Sequence, residues 1–323
     1  MGPEINRETT VNRGPKKRNT KFIVIGSLAA LFFLAAATCV AISVYVGTNL
    51  TKPEKKPIVI TPGDYDMNYQ DIDFFSHDAK TKLAGWVLEP PVPAKMNIIF
   101  AHGYKGNRYE ENIPFMPLAN NLLVKGYRVI TFDFRYAGES EGDMTTVGVK
   151  EKWDLLGAID WTADQYEEPI GLLGISMGAS TSILAAAESK NVHAVVADSP
   201  FSDLHDYLEE NMPVWTDLPN FPFTPLILNI IPLMADIDLS GASPITVLDD
   251  VAPRPVLFIH NKGDRSIPYT ESEKMYKKHP DVFSFWLTEG DGHVKSFEQN
   301  SEEYVEKVIA FFDGVLQGIK EDE

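Results

Sequence analysis

The stretch "IGLLGISMGAS" (residues 170–180) places a serine between two glycines at the point where an apolar run ends. Leu172 and Leu173 belong to a predicted strand, and the small residues after Ser176 favour a helix near residues 177–189. A Gly-x-Ser-x-Gly pattern between a strand and a helix is typical of a nucleophile elbow, where small residues leave room for a sharp turn. A turn selected only for packing has the same local pattern, so the rest of the chain must decide between the two.

Strands and helices alternate through most of the chain after Tyr69. Two strands, "DIDFFSH" and "KLAGWVLEP", come first, and later apolar runs such as "NIIFAHG", "YRVITFDF", "VHAVVADSP", "RPVLFIHN" and "VFSFWLTEG" are interpreted as short buried strands. Helices are predicted near residues 112–126, 147–163, 177–189 and 296–317. This alternation predicts an α/β fold with a mostly parallel sheet covered by helices on both faces.

One long segment interrupts the alternation. Residues 201–250 lie between two predicted strands and far exceed an ordinary connection of about 2–6 residues. The segment contains the apolar, proline-rich stretch "FPFTPLILNIIPLMADI". Because long connections are usually functional, we predict a helical cap over a binding cleft. A helical decoration packed on the core is the alternative.

A serine hydroxyl becomes a good nucleophile when a neighbouring base takes its proton. His293 lies in "EGDGHVKSF", a loop that directly follows the last predicted strand, and Asp264 lies in "HNKGDRSIP", after the strand before it. The order Ser176, Asp264, His293 is the one expected for a hydrolase with a nucleophile elbow. Asp198 and Asp291 are alternative acids, whose structural interpretation is a loop or capping carboxylate.

The remaining histidines are weaker candidates for the base. His260 ends an apolar strand and is interpreted as a packed core residue, and His279 falls on an exposed helix end. Neither His193 nor His205 has a comparable position in a loop after a strand.

The developing negative charge on a substrate oxygen requires hydrogen-bond donors. The backbone N–H of Met177, which follows the nucleophile, is the first predicted donor. The second is the N–H of Tyr104, in the loop "AHGYKGNR" after an early strand. A simple turn is the alternative interpretation of His102 and Gly103.

Residues 22–46, "FIVIGSLAALFFLAAATCVAISVYV", contain no charged residue. A membrane-spanning helix needs about 20 apolar residues, whereas the apolar core of a cleavable signal peptide has about 7–15. We therefore predict an uncleaved transmembrane anchor, with cleavage near residues 35–37 as the alternative. Cys39, the one cysteine, fits a lipoprotein cleavage site poorly and is interpreted as an ordinary membrane residue.

Basic residues flank this span unequally. Those before it are Arg7, Arg13, Lys16, Lys17, Arg18 and Lys21, and those after it are Lys52, Lys55 and Lys56. Because basic flanks stay in the cytoplasm, we predict a single-pass protein of the cell membrane with its large C-terminal part on the outer face.

The formal net charge of −17 argues against nucleic acid as a partner, since phosphate binding requires clustered Lys and Arg.

These observations predict four parts of the chain. Residues 1–21 form a cytoplasmic basic tail, residues 22–46 a transmembrane helix, and residues 47–69 a proline-containing stalk. Residues 70–318 form one catalytic domain, in which the cap occupies about residues 201–250.

Taken together, the motifs "HGYKGNR", "DFRYAGES", "GISMGAS", "DSPFSDL", "GDRSIP" and "GDGH" cover roughly residues 70–317 in order. The sequence resembles the α/β-hydrolase superfamily, specifically the single-domain serine hydrolases of the Bem46-like and Bacillus-type membrane-anchored group. That resemblance implies hydrolysis of an ester, thioester or amide through an acyl-enzyme. In "DFRYAGES", Tyr136 and Ala137 depart from a common Arg-Gly-x-Gly-x-Ser version of a loop that is usually structural.

The predicted function is a membrane-anchored serine hydrolase that cleaves a carboxylic ester or thioester of a small-molecule or lipid-like substrate. A peptidase or amidase of the same fold is the first alternative, in which Glu209 and Glu210 would bind a substrate amine. A non-catalytic binding module on the membrane is the second. Neither a His-Glu-x-x-His zinc motif nor a nucleotide-binding glycine loop is present, so no metal or cofactor is predicted.

Overall fold

The computed structural model describes residues 20–110 and 114–322. The strands in chain order are β1 (Tyr69–Phe75), β2 (Lys82–Leu88), β3 (Met96–Ala101), β4 (Tyr127–Phe132), β5 (Ile170–Ile175), β6 (Val192–Asp198), β7 (Val256–Gly263) and β8 (Ser284–Asp291). They form one sheet in the order β1-β2-β4-β3-β5-β6-β7-β8. The first two strands are antiparallel to their neighbours, and the others are parallel. The mostly parallel α/β sheet predicted from the sequence is confirmed.

The helices in chain order are α1 (Thr20–Thr51), α2 (Phe115–Val124), α3 (Glu151–Gln165), α4 (Met177–Glu188), α5 (Leu204–Thr216), α6 (Asn220–Ala235), α7 (Leu248–Val251), α8 (Thr270–Tyr276), α9 (Ser296–Gln299) and α10 (Ser301–Asp322). Short 3₁₀ turns occur at Pro62–Tyr65, Leu239–Ala242 and Pro244–Thr246. The single C-terminal helix expected near residues 296–317 is therefore divided into α9 and α10.

Helices cover both faces of the sheet, and each face has its own apolar core. Successive side chains of a strand point to opposite faces. Accordingly, Ile99 of β3 packs in the core that includes residues of α3, α4, α7 and α8, while its neighbours Ile98 and Phe100 pack in the core that includes α2, α9 and α10. This two-sided burial explains why the parallel strands are continuous apolar runs in the sequence.

The long segment between β6 and β7 contains α5, α6 and two 3₁₀ turns before α7. The axes of α5 and α6 are bent by 117° relative to each other. Phe201 and Leu204 at the start of this segment pack with Tyr207 and Ile267 in a separate buried cluster. The segment therefore lies beside the loop that follows β7.

The first helix, α1, is long and apolar enough to cross a membrane once, with a mean hydropathy of 2.4 over its 18-residue apolar window. Its 32 residues correspond to about 48 Å at ~1.5 Å per residue, more than the ~30 Å of a bilayer core. Residues 20–38 are exposed, whereas Ser43 and Gly47 are buried because the last turns of α1 pack against α6. The basic tail predicted for residues 1–21 lies outside the described residues, apart from its last two positions.

Candidate active site

Ser176 lies at the junction of β5 and α4 with a strained backbone, at φ 53° and ψ −120°. Positive φ is unfavourable for a residue with a side chain, and such strain is common at functional sites. The flanking glycines make the turn possible. A Cβ on Gly174 would lie 2.3 Å from the Gly178 carbonyl oxygen, and one on Gly178 would lie 2.1 Å from the Ala101 carbonyl oxygen. The sharp turn predicted at this position is therefore present, and both glycines are required by it.

The structure brings together the three residues predicted as nucleophile, base and acid. His293 Nε2 lies 2.8 Å from Ser176 Oγ, and His293 Nδ1 lies 2.7 Å from Asp264 Oδ2. Since the carboxylate can only accept, Nδ1 carries the proton, and Nε2 is free to accept the Ser176 hydroxyl hydrogen. The three side chains come from loops after β5, β7 and β8, at the carboxyl edge of the parallel sheet, where open α/β sheets bind ligands.

The Asp264 carboxylate is buried and held on both oxygens. Oδ1 accepts the backbone N–H groups of Ser266 and Ile267 at 2.8 and 3.0 Å. Burial alone would raise the pKa of this carboxyl, but hydrogen bonds from His260 and His293 outweigh burial and hold the pKa well below its ordinary value. Asp264 is thus a fixed negative charge next to the His293 ring.

His260 is a buried core residue, as its position in an apolar strand predicts. It also has a role that sequence reasoning missed, because its Nε2 lies 3.4 Å from Asp264 Oδ2. The same nitrogen donates to the Ile267 carbonyl at 2.9 Å, and Nδ1 accepts from the Ser272 hydroxyl at 2.7 Å. His260 therefore positions the acid. The four-residue spacing of His260 and Asp264 at the end of a strand is the one sequence signal for this contact.

Neither alternative acid forms a hydrogen bond with His293. Asp198 accepts from the hydroxyls of Ser199 and Tyr304, and burial raises its pKa to about 6. Asp291 is exposed. The geometry therefore favours Asp264 over both.

The other histidines are bound elsewhere. His77 pairs with Asp160, and His279 with Asp249. His193 accepts the Ile170 N–H, and His205 is exposed on α5.

The loop after β3 lies directly against the serine. A Cβ on Gly103 would lie 3.6 Å from Ser176 Cβ. Within the described part of the chain, neither the Tyr104 N–H nor the Met177 N–H has a hydrogen-bond partner. Both amides are thus free to donate, which is what the predicted role of these two positions in an oxyanion hole requires.

His102 and Glu110 hold this loop in place. His102 accepts the Phe134 N–H on Nε2 and donates from Nδ1 to the Gly103 carbonyl, at 3.0 and 2.8 Å. Burial lowers the pKa of His102, which favours this neutral form. Glu110 accepts the Gly103 N–H at 3.0 Å, and burial raises its pKa to about 7. No sequence pattern indicated the role of Glu110, which comes from a contact across an irregular loop.

A cavity of about 100 Å³ opens at Ser176 and Met177. Its lining includes Tyr104, Trp215 and Ile267, and none of the described residues that line it is charged. Glu209 and Glu210 are exposed and do not line it.

One group of described side chains has a spacing compatible with a metal ion. Ligand atoms of His205, Asp206 and Glu209 lie within 4.8 Å of one another, but all three residues are exposed. None of them lines the cavity at Ser176, so the group has no part in the site.

Two models of known protein families match large parts of the chain. A family model described as X-Pro dipeptidyl-peptidase (S15 family) matches residues 39–222, and the model of the prolyl oligopeptidase family matches residues 140–318. Each match covers more than half of the chain. The chain belongs to the α/β-hydrolase superfamily. Within that superfamily it is a hydrolase related to these two peptidase families. Membership of the superfamily is what the resemblance of its motifs predicts.

Individual relatives of this α/β hydrolase point to the same group. YqkD of Bacillus subtilis is 30% identical over 222 residues, which cover 68% of this chain and 71% of YqkD. The esterase Pf2001 of Pyrococcus furiosus has a similar structure, with a TM-score of 0.69 and 28% identity over 82% of this chain and 97% of the esterase. The acylaminoacyl peptidase of Pyrococcus horikoshii shares the fold, with a TM-score of 0.57 and 19% identity over 76% of this chain and 41% of the peptidase. The superfamily is thus established.

Proposed function

We propose that the protein is a serine esterase that cleaves a carboxylic ester or thioester through an acyl-enzyme. The observation that carries this proposal is the hydrogen-bonded chain from Ser176 through His293 to Asp264, which ends at an uncharged cavity. In this arrangement the imidazole of His293 accepts the proton of the Ser176 hydroxyl, and the Asp264 carboxylate stabilises the imidazolium that results.

In the proposed reaction, Ser176 Oγ attacks the carbonyl carbon while His293 Nε2 takes the hydroxyl proton. The carbonyl oxygen becomes an oxyanion that accepts the N–H groups of Met177 and Tyr104. When the tetrahedral intermediate collapses, the ester C–O bond breaks and His293 gives its proton to the leaving alcohol. Water then attacks the acyl-enzyme with His293 as the base, which releases the acid and restores the Ser176 hydroxyl.

The charge distribution favours an ester over a peptide amine substrate. A protonated amine next to the cavity would lose hydration without gaining a carboxylate partner, because Glu209 and Glu210 are exposed outside the lining. Peptidase activity remains the second candidate, since both matching family models describe peptidases.

Rates on short p-nitrophenyl esters and on aminoacyl and peptidyl p-nitroanilides test this choice. We expect ester hydrolysis with a kcat/KM at least about 100-fold above that for the anilides, and Ser176→Ala as the inactive control. Faster anilide hydrolysis would establish the peptidase. Failure of a fluorophosphonate probe to label the wild-type protein would instead favour the non-catalytic binding module.

We further propose that α1 anchors the enzyme in the cell membrane with the catalytic domain on the outer face. The uncharged stretch at residues 22–46 and the excess of basic residues before it support this orientation. Protease added to intact cells is expected to degrade the catalytic domain. Protection of the domain would show that it lies on the cytoplasmic side instead.

A further inference from the structure

The cavity at Ser176 is built from three parts of the chain that are far apart in sequence. Loops of the catalytic domain contribute Ser176 and Tyr104, and the cap contributes residues of α5 and α6 such as Leu228. The third part is α1, from which Gly47, Leu50 and Thr51 line the cavity. The helix that is apolar enough to cross a membrane is therefore also a wall of the candidate substrate site.

Two hydrogen bonds tie the end of α1 to the catalytic domain. The Tyr104 hydroxyl donates to the Leu50 carbonyl at 2.6 Å, and the Thr145 N–H donates to the Thr51 carbonyl at 2.8 Å. These carbonyls belong to the last turn of a helix, where partners within the helix are missing. Because Tyr104 also carries a candidate oxyanion donor, the position of α1 is fixed relative to the reacting atoms.

The cap lies at the level where the apolar stretch of α1 ends. Val46, the last residue of that stretch, packs with the buried cluster of Met212, Ile227 and Ile231. At the next residue the two helices approach closely, since a Cβ on Gly47 would lie 2.2 Å from Ile231 Cγ1. Small residues permit such close contacts between helices. If α1 spans the bilayer, α6 lies at its surface.

The outer side of α6 is apolar as well. Phe221 and Leu233 are each 84% exposed, and Met234 is 60% exposed. Exposed apolar side chains next to the end of a membrane span are expected to be in contact with lipid. Bilayer contact of α6 would place the wall formed by α1 and α6 next to the acyl chains of the membrane.

Building on the esterase function proposed above, we propose that the substrate is an acyl ester that resides in the membrane. Its hydrocarbon chain lies in the cavity between α1 and the cap helices, and its carbonyl lies at Ser176. Hydrolysis breaks the ester C–O bond, and the Ser176 proton passes through His293 to the released alcohol. Water then supplies the hydroxyl oxygen of the released carboxylic acid and the proton that restores Ser176. The anchor is then part of the substrate site as well as a tether.

The test uses the full chain in phosphatidylcholine vesicles with p-nitrophenyl butyrate and p-nitrophenyl palmitate as substrates. When enzyme and ester share the same vesicles, we expect a higher kcat/KM for the palmitate than for the butyrate. When they are in separate vesicles, we expect the rate on the palmitate to be at least tenfold lower than in shared vesicles. Equal rates in the two arrangements would show that the ester arrives through water and would overturn the proposal.

Two substitutions reduce the cavity, one on each helix that lines it: Leu50→Trp on α1 and Leu228→Trp on α6. Each is expected to lower the palmitate-to-butyrate ratio of kcat/KM at least tenfold, which corresponds to the lost burial of about two methylene groups. Tyr45→Trp is the matched control, because Tyr45 is 69% exposed on α1 and does not line the cavity. It is expected to leave both rates unchanged.

Fluorophosphonate labelling of Ser176 identifies the variants that are folded. If a labelled Leu50→Trp or Leu228→Trp enzyme keeps the wild-type ratio, the proposed acyl site is wrong. If Leu50→Trp does not fold, Leu228→Trp decides. Hydrolysis of butyrate without any preference for palmitate would overturn this inference alone, whereas absence of both hydrolysis and labelling in the wild type would overturn the esterase function as well.

Discussion

His293 Nε2 lies 2.8 Å from Ser176 Oγ, although 117 residues separate the two in sequence. In the proposed reaction this hydrogen bond supplies the base for the serine, so we predict that Ser176→Ala and His293→Ala each lower kcat by roughly 10⁴-fold or more. Steady-state rates on a short p-nitrophenyl ester measure the effect. His205→Ala, an exposed histidine outside the cavity, is the control and should keep the wild-type rate. A His293→Ala enzyme with near wild-type kcat would exclude His293 as the base.

The Asp264 carboxylate accepts the Nδ1–H of His293 at 2.7 Å and fixes the tautomer of the ring. Asp264→Asn keeps the size of the side chain but removes its charge, so we predict a loss of roughly 10⁴-fold in kcat with little change in folding. Asp291→Asn is the matched control, since Asp291 is two residues from His293 but exposed. If Asp291→Asn were the more damaging change, the assignment of the acid would have to be reversed.

Glu110 is expected to make the stability of the protein dependent on pH. Burial raises its pKa from 4.5 to about 7, so between these values the folded state keeps a proton that the unfolded state loses. Stability from this group is complete below pH 4.5 and falls as the pH rises towards 7, by about 3 kcal/mol. Denaturant unfolding in detergent micelles should show that the free energy of unfolding of Glu110→Gln rises relative to that of the wild type as the pH increases from 4.5 to 7.

Gln keeps an oxygen that can accept the Gly103 N–H, so the loop itself should persist in Glu110→Gln. Glu302→Gln, at an exposed position, is the control and should follow the wild type at every pH. A stability difference between Glu110→Gln and the wild type that does not vary with pH would contradict the prediction.

Gly178 is expected to tolerate no side chain. A Cβ there would lie 2.1 Å from the Ala101 carbonyl oxygen, a backbone atom of β3 that cannot move without disturbing the sheet. Gly178→Ala should therefore cost about 3 kcal/mol in the free energy of unfolding and lower labelling of Ser176. Gly314→Ala provides the comparison, because a Cβ at that position on α10 has no atom within 4 Å. It should stabilise the helix by ~0.5–1 kcal/mol, and equal destabilisation by both changes would refute the steric argument.

Much of the fold can be predicted because it rests on local patterns. The runs that form β3 and β5 are apolar at every position, as buried parallel strands require, and the Gly-x-Ser-x-Gly spacing marks the turn at Ser176. The exact limits of helices were less predictable. The C-terminal helix breaks at Asn300, and α1 continues to Thr51, five residues beyond its apolar stretch, where contact with Tyr104 and Thr145 caps its end.

The sequence by itself determined which loops carry the candidate nucleophile, acid and base and in what order, because strands and the loops that follow them are encoded by neighbouring residues. Tertiary structure alone decided which of these residues meet. It selected Asp264 over Asp198 and Asp291, added His260 and Glu110, and placed Leu50 in the cavity wall. Contacts between segments tens or hundreds of residues apart depend on how the helices and the sheet pack together. The hydrophobic periodicity of a segment does not indicate which distant segment it contacts.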